Sequence, residues 1–331
     1  LTGRGQFALI IGEAGVGKSR LVGEFAARAE PRRVRVLLGR CIDQGRQLSY
    51  DVFRTALRDF FGIREGERGK VARQKIERCL EALPHWASEA QFFLNFLGLG
   101  GLDENGLERP EAHPDDTLSY FGHVIGLLFQ LARKNPLLLL LEDLHWIDAT
   151  SLDLLRRLVM RLEDEPVPIL VCGTMRSSEA QQHVELQEAL RSLSRQTEVY
   201  FEHNLDALSA DDSYELIDHM FAGFSEREKD LIYQRADGIP FYVQQFLNLL
   251  YSEHRLTRMG NEWHLQSGVD LSRLLPQTIG KLLDRRFYAL DRSAQQVIQC
   301  AAIVGHEFAK PVLSVALERP VGEDLDRLER E

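Results

Sequence analysis

Phe7-Ala8-Leu9-Ile10-Ile11-Gly12-Glu13-Ala14-Gly15-Val16-Gly17-Lys18-Ser19 is the stretch that decides the fold. Its five apolar residues run without polar alternation, the pattern of a strand buried on both faces of a parallel sheet. After Ser19, apolar residues recur at helical spacing through Leu21, Val22, Phe25, Ala26 and Ala29. Strand, glycine loop and helix are the context in which G-x-x-x-x-G-K-S holds phosphate. The glycines let backbone N–H groups wrap the anion, the helix adds its positive N-terminal end, the lysine reaches the β- and γ-phosphates, and the serine hydroxyl can ligate Mg²⁺. The candidate nucleotide-binding residues are therefore Gly12, Glu13, Ala14, Gly15, Val16, Gly17, Lys18 and Ser19, with Arg20 beside them. The competing reading is a glycine turn with a chance Lys-Ser; the flanking strand and helix weigh against it.

Working outward, Val34 to Leu38 predicts a second strand, and the segment to about Lys134 predicts a helical insertion. Its apolar residues recur at Val52, Ala56, Leu57 and Phe60, at Phe92, Phe93, Phe96 and Leu97, and at Tyr120, Val124, Leu127, Leu128 and Leu131. Gly98 to Asp116, rich in Gly, Pro and acidic residues, predicts a loop within it. Leu137 to Leu141 is a further buried strand ending in Glu142-Asp143. Ser151 is placed to cap a helix through Leu162, and Val167 to Gly173, Val184 to Leu193 and Val199 to Phe201 continue the strand-helix-strand alternation. The class expected is α/β, a P-loop parallel sheet over residues 1–204. Beyond Leu205 the alternation stops, with helices expected at Ala210 to Phe221, Ser225 to Ala236 and Tyr242 to Leu250. A small β-hairpin follows around Gly260-Asn261. Helices are then expected from Gln277 behind Pro276, at Ser293 to Val304, at Pro311 to Leu317 and from Gly322 onward.

A phosphate loop needs an acid at the tip of a neighbouring strand to serve the metal or the attacking water. Glu142 and Asp143 supply a pair, one for Mg²⁺ and one for the water, and spacing alone leaves open which does which; capping of the strand end is the plainer alternative. Arg176 follows Gly173-Thr174-Met175 at the next strand's carboxyl end, where an arginine can sense a γ-phosphate or merely be solvated. His145 and Asp148 lie close behind the acid pair, but a loop histidine serves as well as a catalytic one, and His145 is assigned no role.

Composition narrows the classes. The 331 residues carry 40 Lys+Arg against 50 Asp+Glu, a net charge of −10, with 44% hydrophobic and 27% charged residues. That is a globular composition of two or three domains, and the acidic balance disfavours nonspecific binding to nucleic acid or anionic membrane. The longest purely aliphatic run, Leu137 to Leu141, is far short of a membrane span. Without the pattern of a signal peptide at the N-terminus, a cytoplasmic location is expected. Cys41, Cys79, Cys172 and Cys300 lack zinc or redox spacing and read as reduced thiols. The start without Met and the charged end at Gly322 to Glu331 suggest a fragment of a longer chain.

Leu141-Glu142-Asp143-Leu144-His145-Trp146-Ile147-Asp148, followed by Ser151-Leu152-Asp153-Leu154-Leu155, resembles the Walker B signature of the AAA-type signalling ATPases of the STAND class, the origin-recognition-like modules of large bacterial regulators. Gly39-Arg40-Cys41 with Leu48-Ser49-Tyr50 and Gly238-Ile239-Pro240-Phe241-Tyr242 match as well, the latter like the G-x-P motif of the helical lid. Leu275-Pro276-Gln277-Thr278 is similar to the start of the winged-helix module, and the resemblance spans nearly the whole chain. It implies ATP and ADP as ligands with Mg²⁺, Glu142 on the metal, Asp143 near the water, and Arg176 reporting on the γ-phosphate. It further implies a lid over 205–270 in which Pro240 couples to nucleotide state, and a partial winged helix over 271–331. The implied function is a switch, closed with ADP and opened by ATP and a signal, that gates an effector or self-assembly. Such effectors include nucleotide cyclases, with a weak lean toward these, protein kinases and LuxR-type domains.

Two features depart from that family. The Gly-Arg-Glu segment that contributes to the adenine pocket is absent, since Gly3-Arg4-Gly5 lies too near Phe7, which implies weakened adenine affinity. The winged helix lacks its wing, which removes an argument for DNA. The alternatives carried forward are a DNA-associated loader ATPase, disfavoured by the charge, and a nucleotide-binding scaffold without turnover.

Overall fold

The alternation of apolar runs and helical patterns folds as a computed structural model that describes residues 3–42, 49–64, 66–83, 85–99, 117–180, 183–260, 262–266, 268–274, 279–304 and 310–329. The chain divides into two compact units, Leu1–Asp206 and Ala207–Glu331.

In the first unit, β1 (Gln6–Ile11) leads into α1 (Lys18–Ala29), and β2 (Arg35–Arg40) into α2 (Asp51–Phe60), α3 (Gly69–Glu81), α4 (Ala90–Phe96) and α5 (Thr117–Lys134). Then come β3 (Leu137–Glu142), α6 (Ala149–Asp164), β4 (Ile169–Met175), the single turn α7 (Ser177–Ala180), α8 (Val184–Gln196) and β5 (Tyr200–Asn204). The strands form one parallel sheet in the order β2-β3-β4-β1-β5. This is the α/β class expected from the sequence, with an insertion between β2 and β3 whose described elements are helices.

β3 explains why the sheet needs two covering layers, since all six of its residues are buried. Leu137, Leu139 and Leu141 join the larger core shared with the insertion helices, α6 and α8. Leu138 and Leu140 face the other way, against Val22 and Ala29 of α1. The insertion is held by aromatic contacts: Tyr50 sits 5.5 Å from Phe96 and 5.7 Å from Tyr120, ring centre to ring centre. Each fully buried Phe, such as Phe53, Phe93 or Phe96, contributes on the order of 2–3 kcal/mol by leaving water.

One local reading is corrected. α6 begins at Ala149, and its cap is Asp148, whose carboxylate accepts from the Ser151 N–H at 2.8 Å. Ser151, expected as the cap, is the third residue of the helix and itself donates to Asp148. A carboxylate outcompetes a hydroxyl here because it accepts several bonds at once, including those from the Tyr50 and Asp51 N–H groups at 3.2 and 3.3 Å. α3 lies within the expected helical insertion and packs through Ala72, Ile76 and Leu80, buried residues that recur every four positions. The expected loop from Gly98 lies outside the described residues beyond Leu99.

In the second unit, α9 (Ala210–Met220), α10 (Glu226–Ala236) and α11 (Pro240–Ser252) precede an antiparallel hairpin of β6 (Leu256–Met259) and β7 (Glu262–Leu265). α12 (Leu271–Leu274), α13 (Ile279–Ala289), α14 (Arg292–Val304), α15 (Lys310–Ala316) and α16 (Gly322–Leu328) follow. Ser225 and Glu228 form a capping box at the start of α10. Ile217, Ile232, Val243, Phe246 and Leu250 share one core, and Val297, Leu313 and Val321 another. The Leu275 to Thr278 motif and Asn261 of the hairpin turn lie outside the described residues. No helix among those described is long and apolar enough to cross a membrane. All four cysteines are free thiols, Cys41 and Cys172 buried, Cys79 and Cys300 half-buried.

Candidate functional site

The parallel sheet brings the ends of β1, β3 and β4 to one edge, where open α/β sheets bind ligands. β1 delivers the glycine loop. The Gly12 N–H donates to Met175 O at 3.3 Å, and a Cβ on Gly12 would come within 2.6 Å of Leu205 O and 2.9 Å of the Val16 side chain. Only glycine lets the chain pass there. Gly17 precedes α1 with φ +106°, a left-handed conformation that side chains rarely adopt. No side chain caps the first turn of α1 and no acid neutralises it, so its free N–H groups and positive dipole end face the loop.

Lys18 is buried, and its Nζ donates to Gly12 O at 2.7 Å and Glu13 O at 2.8 Å. An ammonium has three donors, so one remains for an anion held by the loop. Burial, then the Arg176 charge, lowers the Lys18 pKa, while Asp143, Glu13 and Glu179 oppose that shift. Ser19 and Arg20 are exposed on the first turn of α1. Glu13 turns away from the loop to accept from Ser177 Oγ at 2.6 Å and Ser178 Oγ at 3.0 Å, and these hydroxyls hold its carboxyl below the usual range.

β3 delivers the acid pair. Glu142 is buried and lies directly across from Arg40 of β2 in the sheet register. Its Oε2 accepts from Arg40 Nε at 3.0 Å and Nη2 at 2.7 Å. At Asp143 the chain leaves the strand in a left-handed turn, φ 58° and ψ 44°, and the Asp143 N–H donates to Thr174 Oγ1 at 3.2 Å. A non-glycine residue in that conformation carries strain, a feature that clusters at functional sites.

β4 delivers Arg176. Its guanidinium donates to Glu179 Oε1 at 2.6 Å and lies 5.3 Å from the Trp146 ring centre. Its backbone N–H donates to His145 Nδ1 at 3.3 Å. The His145 side chain is fully buried, and burial lowers its pKa, which keeps the ring neutral near pH 7. Because Nδ1 accepts, the hydrogen-bond network puts the proton on Nε2. That atom lies 3.0 Å from Glu179 Oε2, off the line a hydrogen bond needs, and 4.0 Å from Asp143 Oδ1.

The structure thus brings Gly12 to Ser19, Glu142, Asp143 and Arg176 to one edge of the first unit. Pro240 belongs to the second unit, where it opens α11. Asp148 is engaged by backbone and side-chain donors at the start of α6. Sequence reading missed Arg40, Thr174, Ser177, Ser178 and Glu179. Arg40 and Thr174 are set by strand register, which no local pattern reveals; Glu179, one helical turn after Arg176, carried a readable signal. The residues fit Mg²⁺ with a nucleoside phosphate. A buried cation with a spare donor and an uncapped helix start suit the anion, and hydroxyl and carboxylate oxygens at Ser19 and Glu142 suit a hard cation.

A sequence model of the AAA ATPase domain matches residues 1–172. An uncharacterised protein of Rhizobium meliloti (strain 1021), R02095, is 24% identical over 330 residues, covering 96% of this chain and 29% of that protein. A STAND protein with a tetratricopeptide repeat sensor, PH0952 from Pyrococcus horikoshii, has a similar fold, with a TM-score of 0.50 at 14% identity over 98% of this chain and 36% of its own. The ORC2 protein of Aeropyrum pernix has a TM-score of 0.45 at 13% identity over 99% of this chain and 79% of its own. The chain therefore spans about a third of the length of R02095 and PH0952.

Proposed function

The chain belongs to the AAA ATPase domain family, and on that premise we propose that it is the nucleotide-binding switch of a larger STAND-type signalling protein. The observation that carries the reading is Lys18: a buried ammonium, two of its donors on loop carbonyls, set at an uncapped helix start. The third donor and the first N–H groups of α1 hold the β- and γ-phosphates of ATP, or the β-phosphate of ADP. Ser19 and Glu142 would hold Mg²⁺, which when bound would offset negative charge that develops on the phosphates. Asp143 orients and deprotonates water for slow in-line attack on the γ-phosphorus, giving ADP and phosphate. Arg176, released from Glu179, reports the γ-phosphate.

Arg40 holds only Oε2 of Glu142, so the carboxylate meets the metal through Oε1, or through Oε2 once the arginine yields it. Exchange of these pairs between ADP and ATP states supplies the differential contacts that any ligand-driven switch requires. In the full protein, residues 205–270 act as the lid, with Pro240 coupling it to nucleotide state, and 271–331 as part of a winged helix. The two states gate an effector or nucleotide-dependent self-assembly in the cytoplasm.

The test is calorimetric titration of the purified chain with Mg·ATP and Mg·ADP, with Lys18→Ala as control. Saturable one-site binding that the substitution removes is expected. Well-folded protein that binds neither nucleotide refutes the reading.

A further inference from the structure

Away from the sheet edge, the first unit has a cavity of about 530 Å³, within the size range of small-molecule sites. Its walls are α5 and α6, with Leu193 of α8 at one side. The floor is apolar: Phe121 and Ile125 are 5% and 4% exposed, and Met160 stands at the rim. The charged groups are unequal. Arg156 lies 3.9 Å from Asp153, and Arg161 donates to Glu165 at 3.2 Å. Arg157 has no carboxylate partner among the described residues. Its guanidinium carbon lies 4.7 Å from the Phe121 ring centre, within cation–π range, and its N–H groups have no carboxylate to serve there.

In a chain of net charge −10, Arg157 adds to the cavity wall a positive group with no carboxylate partner among the described residues. Gly122 points the same way. It sits inside the 18-residue helix α5, where glycine is costly relative to alanine, yet a Cβ there would meet nothing within 4 Å. No tight packing demands glycine, and the position lines the cavity. A side chain would take up ligand space.

From the unpaired Arg157 above an apolar floor, and the glycine that opens it, we propose that this cavity binds a small amphipathic anion, a carboxylate, sulfonate or phosphate on an apolar or aromatic body. The head meets Arg157 in a two-pronged contact, with Arg156 and Arg161 adding positive potential, and the body lies against Met160 and the exposed edges of Phe121 and Ile125. Asp153 and Asp164 at the rim disfavour anions lacking an apolar body, because these gain too little from the floor to offset that repulsion. The site is independent of the nucleotide site.

The probe is 8-anilinonaphthalene-1-sulfonate, titrated by fluorescence into the folded chain, with thermal melting to show that each variant is intact. Saturable binding is expected, displaced by dodecanoate and not by dodecylamine. Arg157→Gln, a change at an exposed side chain, should raise the dissociation constant at least fivefold. Gly122→Ala should raise it severalfold while raising the melting temperature, since the helix gains and the cavity loses. Absence of saturable binding, equal displacement by the amine, or unchanged affinity in Arg157→Gln overturns the proposal.

Discussion

Replacing Arg40 by Gln tests the acid-bearing strand most directly. In the folded chain Arg40 places two N–H groups on one oxygen of Glu142, whose side chain is 8% exposed, while Arg40 itself is 43% exposed. Removing one partner of a fully buried pair costs roughly 3–5 kcal/mol, because a charge is left uncompensated. Solvent already screens the arginine side, and glutamine keeps one donor, so about 1–2 kcal/mol is the expected loss. For a unit of this size that lowers the melting temperature by roughly 3–6 °C. The assay is thermal unfolding of wild type, Arg40→Gln, Glu142→Gln and the double variant, with and without Mg·ADP. The cycle should show coupling of at least about 0.5 kcal/mol. Saturating Mg·ADP should reduce the Arg40→Gln deficit, since a divalent cation on Glu142 takes over the role of the guanidinium. An unchanged melting temperature refutes the energetic reasoning. A deficit that persists in full with bound Mg·ADP refutes the placement of Glu142 on the metal.

Three further outcomes are expected. Asp143→Asn should bind Mg·ATP as the wild type does and lose hydrolysis, measured as phosphate release; normal turnover would show that another group activates the water. Gly12→Ala should cost about 1–3 kcal/mol in denaturant unfolding and weaken nucleotide binding, because the added methyl meets Leu205 O at 2.6 Å; wild-type stability would mean the loop yields easily. His145 should make stability fall with acidity. Its folded pKa is lowered by burial, so below about pH 6.5 the unfolded chain binds the proton first. Stability is complete above that pH and declines as the pH drops from there toward the folded pKa. His145→Asn, which keeps an acceptor for the Arg176 N–H, should flatten that part of the urea-midpoint profile, and an identical profile would show that another group causes the decline.

Much of the fold was legible because its signals are local. The apolar run from Phe7, the glycines and Lys18 are consecutive, so their period and spacing report strand, loop and helix directly. Five leucines followed by Glu142-Asp143 likewise declare a buried strand with an acidic tip. Local signals failed where two donors or acceptors compete. Asp148, three residues before the expected Ser151, took the α6 cap because it could also receive the Tyr50 and Asp51 N–H groups from a distant segment.

Chain order and residue type by themselves determined the α/β class, the phosphate loop and the candidate acids, since each depends on residues within about ten positions of one another. Only the tertiary structure decided what those groups hold. The strand order β2-β3-β4-β1-β5 puts Arg40 across from Glu142, 102 residues away, and Ser177 on Glu13, 164 residues away. Those pairings follow from register and burial, which emerge when hydrophobic faces from separate parts of the chain close on one core and leave each buried charge to find its partner there.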